Sequence, residues 1–321
     1  MGRLRHRRDD TRVSTLSAAE RNRAVEDWPD LPYQAWVDTR DTLHMYLQVI
    51  GKVRLALTPV EPQWANVPLY LTARGLTTSP MMGGEGPFDI DVDFVDHQVL
   101  IADTEGRIER IPLASRSVAD FYRELIERLR SMGVHVHIFT TPSEVPDPIP
   151  FPRDTVHAAY DPEWVSRFWH VLSRIDLVFK DHRAHFRGKA SPVQFFWGGF
   201  DLAYTRFSGR AAEPPPNADR ILRLAEDAEQ VSAGFWPGNT DFPDAAFYAY
   251  TYPKPAGIEN APAQPTGAAW NPKIGEFVLT YADAQRTGDV RGAILDFLDS
   301  TYRAGATRLN WDPDLTGTDN C

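Results

Sequence analysis

Cysteine is nearly missing from this chain. The single thiol, Cys321, is the last of 321 residues, which excludes an internal disulfide framework and any thiolate cage around a metal. Long apolar runs are missing too. Hydrophobic residues make up 42% of the sequence, enough for a full core, yet they come in strand-sized pieces broken by charge, far short of the ~20 residues of a membrane helix. The basic run MGRLRHRRDDTR lacks the apolar stretch of a secretory signal. A cytoplasmic protein with a disordered basic tail over 1–25 is the expectation. Positive charge is the scarcer sign: 34 Lys and Arg stand against 44 Asp and Glu, a formal charge of −10. Phosphate backbones demand concentrated Lys and Arg, so neither nucleic acid nor a membrane is an expected partner. The Walker loop, the dinucleotide GxGxxG, the GxSxG elbow and HExxH are all lacking, and no cofactor is expected.

What is present is self-similarity. QVIGKVRLALT at 48–58 matches HVLSRIDLVFK at 170–180, a helix end with Val53, Leu55 and Leu57 on Ile175, Leu177 and Phe179. VPLYLTARGLT at 67–77 lies over PVQFFWGGFD with Pro68 on Pro192 and Gly75 on Gly199, and FDIDVDF at 88–94 resembles FYAYTYP at 247–253. SVADFYRELIERLRSMG at 117–133 lies over DVRGAILDFLDSTYRAG at 289–305. These matches predict an α+β fold, a tandem duplication of a helix–antiparallel sheet–helix unit about a pseudo-twofold axis. Unit 1 spans 26–142 and unit 2 spans 161–312, joined by the Pro-rich linker 143–160. An insertion over 211–272, with a helix at 218–233, enlarges the second unit, and 313–321 is a tail.

Within unit 2, SPVQFFWGGFDLAYTRFSGR at 191–210 reads as a hairpin. Strands 193–197 and 200–206 meet at Gly198-Gly199, a two-residue turn in which both positions take φ > 0. That register pairs Phe195 with Leu202 and Val193 with Tyr204 on an apolar face destined for the helices. The other face pairs Phe196 with Asp201 and Gln194 with Ala203. Polar groups there meet either solvent or a ligand over a cavity floor. The third strands contrast: Asp89, Asp91 and Asp93 prefer water, whereas Tyr248, Tyr250 and Tyr252 suit a half-buried wall.

Of the histidines, His182 and His185 are three apart in DHRAH, and His135 and His137 alternate on an expected strand GVHVHIF. Two ligands of either kind fall short of a zinc site, so no metal is expected. The remaining charged candidates are Asp201, Arg206, Arg210, Glu229 and Glu276, with Lys189 and the indole of Trp236 in AGFWPGN. Arg206 alternates onto the apolar side, which requires a strand-end position or a carboxylate partner such as Asp201.

The signatures WPDLPYQAW, DTLH, GKASPVQFFWGGFDLAYTRFSGR, SAGFWPG and FYAYTYPKPAG, spread over most of 28–311, resemble those of a bacterial family known only as a domain of unknown function. The resemblance brings no activity. It implies histidine in many members where this chain has Gln63, Gln194 and Ala228, so a metal site built from those histidines would be lost here. The resulting expectation is a small-molecule enzyme or binding protein with its pocket in unit 2. Gln194, Phe196 and Asp201 floor that pocket, Tyr248, Tyr250 and Trp236 wall it, and Arg206 contributes to ligand binding. Asp201 or Glu229 is the general acid or base, because apolar surroundings raise carboxyl pKa values. The alternative is a non-catalytic scaffold whose duplicated sheets present a flat apolar surface.

Overall fold

The computed structural model describes residues 28–315 apart from Glu85; the basic tail 1–25, Cys321 and the rest of the 316–321 terminus lie outside the described residues. Helix α1, Tyr33–Leu57, runs through the middle. Most of its residues from Thr39 to Arg54 are buried, polar ones included, as expected of a helix covered on all sides. Strands β1 (Tyr70–Leu71), β2 (Gly75–Thr77), β3 (Met81–Met82), β4 (Pro87–Asp93), β5 (Gln98–Asp103) and β6 (Ile108–Pro112) follow. They form an antiparallel sheet in the order β1-β2-β4-β5-β6, with β3 also on β4. Helix α2, Val118–Ser131, closes this half, with Ser117 accepting from the Asp120 amide as its N-cap.

A second long helix and sheet follow. Helix α3, Pro162–Ala184, starts on an Asp161 cap with proline at its first position. Strands β7 (Gln194–Phe196), β8 (Asp201–Ala211), β9 (Ala228–Trp236), β10 (Ala246–Tyr252), β11 (Ala269–Asn271) and β12 (Glu276–Thr280) form a sheet in the order β11-β12-β10-β9-β8-β7. The short helix α4, Arg220–Ala225, interrupts them, and α5 (Tyr281–Arg286) and α6 (Val290–Arg308) follow. The fold is α+β, with helices and two antiparallel sheets. At their seam Leu69 and Phe195 exchange both backbone hydrogen bonds at 2.8 Å. One face of both sheets packs on the helices through Ile90, Val92, Phe195, Leu202, Phe235 and Phe247, all buried in a single core. Among the described residues no helix is long and apolar enough to cross a membrane.

Several sequence expectations change here. The stretch 218–233 is not one helix: Asp219 caps α4, which stops at Ala225, and β9 begins at Ala228. From there Val231, Ala233 and Phe235 alternate into the core, and period two prevails over local helix propensity. The stretch 211–272 therefore contains β9 and β10, inner strands of the sheet, and is not an appendage to it. FDIDVDF lies third from the seam and FYAYTY fourth, so the two are not at the same sheet position. GVHVHIF forms no strand. The hairpin register, Phe195 on Leu202 and Phe196 on Asp201, is as expected, but its turn spans four residues, 197–200. The positive φ falls on Phe200, at 60°, not on the glycines. Gly198 is needed for closeness: a β-carbon there would collide with the Glu144 carboxylate.

Candidate functional site

The face of the second sheet turned away from the helices is built by strand alternation. Phe196 pairs with Asp201, while Ala203, Gly234 and Tyr248 lie in one cross-strand row and Thr205, Ser232 and Tyr250 in the next. The Tyr248 ring lies over Gly234, where a β-carbon would strike it, and this lets its hydroxyl donate to Asp201. Trp236 stacks beside Tyr248 at 5.0 Å. Burial pushes the Asp201 carboxyl up to about 7; the Tyr248 bond opposes that rise and the nearby Glu144 charge adds to it. The Trp236 Nε1 and Gln194 Oε1 atoms are buried without a hydrogen-bond partner among the described residues.

Beside this group, where β11 ends the sheet, a cleft of about 350 Å³ opens between Glu226, Tyr250, Glu276, Lys254 and Trp270, with Ile258 and Ile274 on its walls. Burial raises Glu276 to about 7, with the Asp201 charge adding to the shift. Burial likewise raises Glu226 to about 7, against a hydrogen bond from Gln230. Glu226 is only 7% exposed, and its Oε2 has no partner among the described residues. Two carboxyls that change charge near neutrality are suited to taking up and giving back protons.

Of the residues chosen from sequence, Tyr250 lines the cleft, and Gln194, Phe196, Asp201, Trp236 and Tyr248 form the adjoining group on the same sheet face. Arg206 and Glu229 sit elsewhere. Arg206 points to the helix side, 2% exposed, donating to the His182 carbonyl and held between Phe186 and Tyr302 at 5.1 and 4.6 Å. Its positive charge is met by a carbonyl and two ring faces, so the expected pairing with Asp201 does not occur. Glu229 is bound by Arg210 at 2.7 Å and by Ser208 at 3.0 Å on that same side, a brace between β8 and β9. His182 is likewise occupied, between Tyr204 and Asp299.

Sequence reasoning missed Glu226, Lys254 and Trp270, and treated Glu276 only as one charge among several. It also missed a polar stripe on α1. Arg40, His44, Gln48 and Lys52 are each four apart and buried, a spacing visible in the sequence as one helix face. His44 Nε2 reaches the carbonyls of Trp197 and Gly198, both at 2.9 Å. Burial, with the Arg40 charge, lowers its pKa to about 3, so the ring is neutral and donates. Gln48 clasps the Ser143 backbone through both ends of its amide, at 2.7 and 2.8 Å, and Lys52 Nζ donates to Ser143 Oγ at 2.9 Å. The stripe thereby fixes the 197–200 turn that precedes Asp201.

Where the resemblance implied histidines, Gln63 donates to Asp227 at 2.6 Å, next to Ala228, whereas Gln194 lies opposite Ala203 on β7. Among the described residues no three His, Cys, Asp or Glu side chains are grouped to hold a metal ion. The sequence model of a family of unknown function, DUF5996, matches residues 28–318. No curated protein and no solved structure matches the chain.

Proposed function

The chain belongs to DUF5996, a family of unknown function, and we propose from its own residues that it binds a small molecule in the cleft beside β11. There Glu226 and Glu276 exchange protons with the ligand. The observation that carries this reading is Glu226, a buried carboxyl with an open oxygen on the wall of a concave site. A buried acceptor without a donor costs stability, and a ligand donor removes that cost. Glu276 faces the same space, and Tyr250 adds a hydroxyl. Burial holds Glu276 near its half-protonated state, and Asp201, bonded to Tyr248 on the same sheet face, adds its charge to that shift. Gln194, Phe196 and Trp236 extend the surface on which a longer ligand rests.

The two halves are read as copies of one ancestral unit of about 26–142 and 161–312. In support, β1-β2 and β7-β8 hold the same first and second places from the seam, each after a long helix, and each sheet is followed by a helix. The Leu69–Phe195 pairing joins like edges antiparallel, as a twofold axis requires. On this reading the longer connections of the second unit, 212–227 and 253–268, with strand β11 after them, supply Glu226, Lys254 and Trp270, so the cleft belongs to the enlarged copy alone.

A fragment library screened by protein-observed NMR tests the cleft. Binders should perturb the Trp270 indole and Tyr250, and lose affinity in the Glu226→Gln, Glu276→Gln double variant. Binders that leave Trp270 and Tyr250 unmoved, or no binders at all, refute the reading.

A further inference from the structure

Resting on the cleft reading just given, we propose that its ligand is a small alkyl amine, bound as an ammonium ion between Glu226, Glu276 and the face of Trp270. The site already holds an ammonium of this kind. Lys254, exposed at the cleft mouth, places its Nζ 4.7 Å over the Trp270 ring, which shows that the indole presents its negative face to a cation here. A ring used in this way recognises charge and not merely apolar area.

The second observation is independent of that ring. Glu226 is 7% exposed and, among the described residues, its Oε2 accepts from no group. An ammonium brings three donors and a positive charge, and so supplies both the hydrogen bond and the charge that a buried carboxylate lacks. Glu276 lines the same cleft with a second carboxylate, and Tyr250, close enough to feel the charge of both, adds a hydroxyl. Among the described residues Lys254 is the one Lys or Arg lining the cleft. A phosphate or carboxylate ligand would meet two carboxylates against a single ammonium. A neutral polyol would leave two carboxyls sharing the single Lys254 ammonium. Ile258 and Ile274 supply an apolar stretch suited to methylene groups, which narrows the amine to one on a short alkyl chain. The formal charge of −10 on the chain adds attraction for any approaching cation.

Three four-carbon probes separate the possibilities: putrescine, 1,4-butanediol and succinate, carrying cationic, neutral and anionic ends. Each is titrated into the full chain at pH 7.5 while the Trp270 indole NH is followed by NMR. Putrescine should shift that signal saturably and the other two should not. Glu226→Gln combined with Glu276→Gln should weaken putrescine binding by about tenfold or more, the loss of charge-assisted hydrogen bonds. Lys254→Met removes the resident ammonium from the indole and should tighten binding by several-fold. This variant guards against misfolding of the carboxylate double variant, because Lys254 is exposed. Saturable shifts by butanediol or succinate equal to those of putrescine overturn the amine assignment and leave the cleft reading standing. So does a Lys254→Met protein that binds putrescine more weakly than the unaltered chain. If none of the three probes moves Trp270, the amine assignment falls. The cleft reading then falls with it only when the fragment library is silent there as well.

Discussion

Replacing Glu226 by glutamine should make this protein more stable at pH 8 while leaving it unchanged at pH 4. Glu226 is 7% exposed, and burial raises its pKa from 4.5 to about 7. The folded state therefore prefers the protonated carboxyl. The stability this contributes is fully present below pH 4.5 and is lost as pH rises through 7. A shift of roughly 2.5 units at about 1.36 kcal/mol each corresponds to ~3 kcal/mol between those limits. Glutamine keeps the size and can still bond Gln230, but it does not titrate, so that loss disappears. With a Tm shift of about 2–4 °C per kcal/mol for a domain near this size, the variant should melt roughly 6–12 °C above the parent at pH 8. The measurement is a pair of calorimetric Tm profiles from pH 4 to 8.5, subtracted so that every other titrating group cancels. The difference curve should be flat up to pH 4.5, rise through pH 7 and level off by pH 8. A difference curve flat over the whole range would mean that water reaches Glu226 freely. The closed-in carboxyl on which the cleft reading depends would then be wrong.

Phe195→Ala removes a fully buried ring at the seam and should cost about 3–5 kcal/mol in chemical unfolding, whereas Asp201→Asn should cost far less, because among the described residues Asp201 meets Tyr248 and no arginine. Equal damage in the two proteins would show that Asp201 is a brace. Gly51→Ala raises the helix propensity of α1 by about 1 kcal/mol, yet a β-carbon at that position strikes the Trp197 indole. Overpacking of this kind costs about 1–3 kcal/mol, so the variant should be net destabilised in urea; a gain in stability refutes the placement of Trp197 against α1. His44→Ala removes the donor that holds the carbonyls of Trp197 and Gly198 and should speed amide exchange in the 197–201 turn, and unchanged exchange there would remove the clamp from the account.

The sequence by itself determined what depends on neighbours along the chain. Alternation over 193–206 assigned Phe195, Leu202 and Tyr204 to the core, and Gln194, Phe196 and Asp201 to the opposite face, because strand geometry leaves no other option. The register across the hairpin followed from the shortness of its connection. The α+β order was legible from periods of 3.6 and 2 in succession, and the near absence of cysteine settled the disulfide question before any fold was seen. Tertiary structure decided everything that required distant segments to meet. AEDAEQVSAGF carries both helical and strand patterns, and only pairing with β8 and β10 made a strand of 228–236. Glu226 and Glu276 face one cleft although fifty residues separate them, since β9, β10 and β12 lie side by side. Arg206 shows the same limit: its place on the apolar side was readable, but its partners, a carbonyl from α3 and rings before β7 and in α6, were not. Side-chain direction is set by local backbone geometry, whereas desolvation and charge pairing arise only when remote elements pack together.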